Sequence, residues 1–197
     1  MIKILYVHGY LGSGNGSASR RIRAELERRG IEHELIAPQF NVTDYNEMTK
    51  TISDYAASGE FDYIAASSLG AFYTMQTKGP VKILVNPAVA ENLRNIVSKE
   101  GIENNPTLTD TFLDALDVSL STYLNNLSDN ERKKTYIIYG TRDVIAPNEH
   151  IFAPYFNDSN LIYHVDMEHR LNDAGAAKVC DIIEAEELWK TNQKSSH

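Results

Sequence analysis

Four of the five residues in Val81-Lys82-Ile83-Leu84-Val85 are apolar, and a strand that is apolar on both faces must be covered on both, as the central strands of parallel sheets are. Related β-branched or aromatic runs recur at 2–7, 33–37, 61–66, 135–139 and 161–165. Between them lie 17–29, 44–58, 68–78, 91–99, 109–126, 147–156 and 173–190, where apolar residues mostly recur three or four apart as they do along a helix face. Strand and helix alternate, which predicts an α/β chain with a mostly parallel central sheet and helices on both faces. Between 91 and 133 two helices follow each other with no strand candidate, so a small helical insertion or lid over the site is expected there. A chain of 197 residues buries roughly 70% of its unfolded surface. One domain over 1–190 is therefore expected, with 191–197 as a loose tail.

No stretch approaches the roughly 20 apolar residues that cross a bilayer. The run 2–7 is too short for a signal-peptide core and lacks a basic leader. The single cysteine, Cys180, allows no internal disulfide and no paired-cysteine zinc site. A cytoplasmic protein without metal or cofactor is the expectation. The net charge of −8 repels a phosphate backbone unless a local patch overcomes it. Arg20, Arg21, Arg23, Arg28 and Arg29 form the only dense basic stretch, and Glu25 and Glu27 interleave with them at helical spacing. That pattern reads as an ion-paired helix face, so neither nucleic acid nor a membrane is an expected partner. Oligomeric state stays open.

The chemistry concentrates at strand ends. Ala66-Ser67-Ser68-Leu69-Gly70 follows a strand and opens a helix, the pattern small-x-nucleophile-x-small of a nucleophile elbow, with Ser68 on the turn. Small residues at 66 and 70 let backbone approach backbone. A serine in such a place can also do no more than cap a helix, and the motif gains its weight from an acid and a histidine later in the chain. Asp143 lies in a loop just past the run 135–139, and His169 in a loop between the last strand and the last helix. This is the order in which an acid and a base succeed the nucleophile in such folds. Asp143 alone could equally be a turn-capping residue. His164, His33, His150 and His197 read as packing or surface residues.

The first strand leaves through His8-Gly9-Tyr10-Leu11, where a glycine turn lets backbone amides approach a ligand. The backbone N–H groups of Tyr10 and Leu69 are the expected oxyanion-hole donors, with Leu11 as the alternative to Tyr10. Gly12-Ser13-Gly14-Asn15-Gly16 invites a nucleotide-loop reading, but the third glycine comes one residue early for G-x-G-x-x-G, and no Gly-Lys-Ser/Thr succeeds it. Phe112 and Tyr123 are candidate pocket residues, whereas Leu113, Leu116, Leu120 and Leu127 form a stripe of the kind that makes core.

With the His8-Gly9 turn, the Ser-Ser-Leu-Gly elbow at 67–70, Asn86-Pro87-Ala88-Val89 after a strand, the Gly140-x-x-Asp143 loop and the late His169, nearly the whole chain resembles the small bacterial YqiA-type esterases. The resemblance implies a three-layer α/β-hydrolase fold, hydrolysis of small carboxylic esters without a cofactor, and a triad of Ser68, Asp143 and His169. Two departures stand out: Ala66 where that family has glycine, and Asp166-Met167-Glu168 where it has Gly-Gly-Asp. Glu168, beside the base, either raises the histidine pKa or faces solvent. The rival reading is a non-catalytic relative that binds a ligand or partner in the same cleft; other acyl-transfer or C–C hydrolysis would use the same residues.

Overall fold

The computed structural model describes residues 1–156 and 160–195. Six strands form one sheet: β1 (Ile2–Val7), β2 (His33–Ile36), β3 (Tyr63–Ser67), β4 (Val81–Val85), β5 (Thr135–Gly140) and β6 (Ile162–Val165), in the spatial order β2-β1-β3-β4-β5-β6. Every pairing is parallel, so all six carboxyl ends lie along one edge.

Alternation along each strand sorts its side chains to opposite faces. Ile4, Tyr6, Tyr63, Ala65, Ile83 and Ile138 meet Ile22 and Leu26 of α1 (Ser17–Arg28) and Val179 and Ile183 of α8 (Asp173–Lys194). Leu5, Val7, Ile64, Ala66, Leu84 and Ile137 meet α2 (Tyr45–Ala57), the wholly buried α3 (Leu69–Met75), α4 (Ala90–Glu100) and α5 (Asp110–Asn125). Capping side chains fix several starts. Asp44 accepts from the Glu47 N–H, Thr109 from Phe112, and Asn172 from Gly175.

Lys82, the one polar residue in the central run, is fully buried. Its ammonium donates to the Thr77 carbonyl and to the carboxylate of Glu131 on α6 (Asp129–Lys133). Burial lowers its pKa, against the pull of Glu131. The ion pair thus ties β4 to the end of the 91–133 segment.

That segment holds α4, a 3₁₀ turn at Ile102–Asn104, α5 and α6. Three expected elements change length. The helix expected over 147–156 shrinks to α7 (Glu149–Phe152), because Pro154 has no N–H with which to extend the ladder. The helix expected over 68–78 ends at Met75, just short of Gly79-Pro80. At the other extreme α8 runs to Lys194, into the stretch expected to be a tail; Ser196 and His197 lie outside the described residues. The basic stretch is engaged as its spacing predicts: Arg28 with Glu25, and Arg29 with Glu25 and Asp181 of α8. No helix among the described residues is long and apolar enough to cross a membrane.

Candidate active site

The chain leaves β1 toward β2 and returns to β3 on the other flank of β1. The crossings on the two sides leave a crevice at the carboxyl ends of β1 and β3, the switch point where ligands bind in open α/β sheets. Gly9 and Ser68 face each other there. A Cβ on Gly9 would stand 2.7 Å from the Ser68 Cβ, and one on Gly70 would stand 2.4 Å from the His8 carbonyl oxygen. Ser68 has φ 54° and ψ −124°, a conformation costly for any residue with a side chain. The turn is over-determined by its surroundings: the Ser68 N–H donates to the Val85 carbonyl (2.9 Å), and the Ser68 carbonyl accepts from Ala71 and Ala88. Ala66 is accommodated in the buried face beside Val7 and Leu84, so the departure at that position leaves the elbow intact.

Three groups distant in sequence meet at this edge. Ser68 Oγ lies 2.9 Å from His169 Nε2, and His169 Nδ1 lies 2.8 Å from Asp143 Oδ2. The other carboxylate oxygen accepts from the Ile145 and Ala146 N–H groups at 2.8 and 3.1 Å. Burial pushes the Asp143 carboxyl up, but the His169 ring and those two amides outweigh it and hold the pKa below the usual carboxylate value. An anionic Asp143 accepts a hydrogen bond from Nδ1–H, which leaves Nε2 free to accept from the serine hydroxyl.

In the sequence Asn86 is only part of a motif, with no role of its own. Its carboxamide is fully buried. Asn86 Nδ2 donates to the carbonyls of Glu168 and His169, each at 3.0 Å, and Oδ1 accepts from the Gly140 N–H at 2.7 Å. One side chain at the end of β4 therefore holds the end of β5 and the histidine loop together. Gly140 makes the approach possible, because a Cβ there would come within 2.5 Å of the Met167 carbonyl. Glu168 faces solvent, 76% exposed, with Arg142 at 3.8 Å. His164 is a surface residue paired with Glu149 and stacked on Tyr139. His150 lines a cavity beside Ser68.

The loop after β1 is pinned by His8. The Phe40 N–H donates to His8 Nε2 (3.0 Å), so the ring proton sits on Nδ1 and donates to the Gly9 carbonyl (2.9 Å). Burial lowers the His8 pKa, against the pull of the Gly9 carbonyl, and favours this neutral ring. The Gly12 N–H donates to the same carbonyl (3.0 Å). Among the described residues neither the Tyr10 N–H nor the Leu69 N–H has a protein acceptor; Leu69 opens α3, where the first N–H groups have no helical partner. The Tyr10 hydroxyl donates to Asn105 in the 91–133 segment.

Two cavities flank Ser68, of about 240 and 520 Å³, and Tyr10, Leu11, Ser68, His169 and Arg170 line both. The wall of the larger one comes from α4, through Leu93 and Ile96, and from the loop carrying Val144 and Ile145. Phe112 and Tyr123 line neither: Phe112 is core, and Tyr123 opens on a separate cavity of about 740 Å³ along α5. That larger space holds none of the three hydrogen-bonded groups. Of the leucine stripe, Leu113 and Leu116 are buried in the core, whereas Leu120 and Leu127 are only partly buried against it, Leu127 lying past the end of α5.

Solved structures with the same architecture include a Xanthomonas campestris protein assigned to the alpha/beta hydrolase superfamily (16% identity, TM-score 0.58, covering 94% of this chain and 99% of that one). The ydeN gene product of B. subtilis is another (17% identity, TM-score 0.56, covering 94% and 98%). A third is an esterase domain of a Rhodothermus marinus protein (13% identity, TM-score 0.57, covering 93% and 85%). At these identities the likeness is one of fold, and the fold is that of the α/β hydrolases. Among curated proteins none matches. The chain belongs to the uncharacterised protein family UPF0227, whose family model matches residues 3–182.

Proposed function

We propose that this protein is a serine hydrolase that cleaves small carboxylic esters through an acyl-enzyme. The observation that carries the proposal is the unbroken relay from Ser68 Oγ through the His169 ring to Asp143, built on the edge where this fold binds its ligands. His169 Nε2 takes the Ser68 hydroxyl proton as Oγ bonds to the ester carbonyl carbon. Asp143 holds the ring orientation and stabilises the imidazolium. The Leu69 and Tyr10 N–H groups, without acceptors among the described residues, receive the developing oxyanion. Collapse breaks the bond to the alkoxide, which leaves with the proton from His169. Water then attacks the acyl-enzyme, giving up its proton to His169, and Ser68 regains a proton as the acid departs. No step requires a cofactor.

The test is Ser68→Ala assayed on p-nitrophenyl acetate. Turnover should fall by on the order of 10³-fold or more with the fold preserved by circular dichroism, and a fluorophosphonate probe should label the unmodified protein and not the variant. Undiminished turnover by the variant, or no labelling of the unmodified protein, would reject the proposal in favour of a ligand-binding relative.

A further inference from the structure

Among the described residues only three non-glycine positions have positive φ: Leu11 (55°), Ser68 (54°) and Asn86 (45°). Leu11 and Ser68 line the cavities at the carboxyl edge, and Asn86 stands behind them at the end of β4. Two have a local explanation. Ser68 is the turn of the elbow, and Asn86 carries the carboxamide that holds the histidine loop. For Leu11 the turn accounts for the dihedral but not for the choice of a leucine there. It is the third residue of the turn Gly9-Tyr10-Leu11-Gly12, closed by the bond from the Gly12 N–H to the Gly9 carbonyl, a position that suits glycine or asparagine and resists a leucine. Its side chain is 82% exposed, so the strain is not offset by packing.

Val144 and Ile145, 86% and 44% exposed, line the larger cavity together with Leu11. Three of the nine exposed large hydrophobics among the described residues thus surround one opening. Glu91, Lys99, Glu100 and Arg170 bring charges of both signs to the same cavity, with no net preference for a charged guest.

We infer that Leu11 is a specificity-determining residue: its side chain closes over an apolar acyl group seated in the larger cavity between Leu11 and the Val144-Ile145 wall. The inference rests on the hydrolase reading and names its substrate as an ester with an extended apolar acyl chain. Leucine at this strained position gains its burial from the substrate, and because the same residue also borders the smaller cavity, it stands at the junction of the acyl and alcohol compartments.

The experiment compares kcat/KM for p-nitrophenyl octanoate and acetate in the unmodified protein, Leu11→Gly and Leu11→Asn. Both replacements tolerate the backbone conformation, so the melting temperature should not fall. The octanoate-to-acetate ratio should drop roughly tenfold in both, about what removing one leucine from an apolar contact takes away, and mainly through KM. A ratio within twofold of the unmodified protein's, or equal losses on both esters, overturns the inference, as does an unmodified protein that turns over acetate and not octanoate. Fluorophosphonate labelling of the variants keeps the two readings apart. Labelled variants with an unchanged ratio refute the role of Leu11 alone, whereas an unmodified protein that takes no label refutes the hydrolase reading.

Discussion

Replacing Asn86 by alanine removes three hydrogen bonds from a site with no solvent access. At a net worth of about 1 kcal/mol each, the lost bonds amount to about 3 kcal/mol, a large share of the 5–15 kcal/mol by which domains are stable. Alanine also fits the 45° φ less well than asparagine, which adds to the loss. The effect on chemistry is separate. The Glu168 and His169 carbonyls lose the donor that fixes the histidine loop, and a displacement of about 1 Å at the base costs on the order of 10²-fold in rate. Asn86→Asp should be worse still, because it keeps the acceptor for Gly140 but turns a carboxylate oxygen toward two carbonyls. Urea unfolding gives the stability term, and kcat and KM on p-nitrophenyl acetate give the second. The expected signature is a lower kcat with little change in KM, since Asn86 lines neither cavity beside Ser68. A kcat within threefold of the unmodified protein's, with the unfolding midpoint unmoved, would refute the reasoning.

Asp143 has a pKa depressed on folding, so as pH falls the unfolded chain binds that proton first. Its contribution to stability is complete above the unfolded pKa of about 4 and is lost as pH falls through the folded value. Denaturant titrations at pH 7 and pH 3 should therefore show a smaller drop for Asp143→Asn than for the unmodified protein; equal drops would contradict it. Lys82→Met strands the Glu131 carboxylate and should cost about 3–5 kcal/mol, whereas adding Glu131→Leu should recover most of it in the same melts.

The strands are legible in the sequence because burial on both faces leaves almost no choice of residue type, and their alternation with amphipathic stretches carries the layer order. Ser68, Asp143 and His169 are legible because each stands at the end of an apolar run, in a fixed chain order. Asn86 carries no such signal. What distinguishes it is the company its carboxamide keeps, with backbone from β5 and the histidine loop, and composition does not encode that. The pocket wall fails for a related reason. Phe112 and Tyr123 look suited to bind a substrate, yet the pitch of α5 turns Phe112 into the core and Tyr123 toward a different cavity. Leu11 looks ordinary in the sequence, and only its dihedral angle and exposure set it apart.

His169 arrives on the loop that leaves β6, an edge strand paired with β5 alone, while Ser68 sits near the middle of the sheet and is encoded a hundred residues earlier. During synthesis the serine therefore emerges long before the imidazole that it meets in the folded chain. On the proposed mechanism, a chain cut short before that loop, or one whose outermost strand has peeled away, carries a hydroxyl without its base, and the reaction awaits the arrival of that loop.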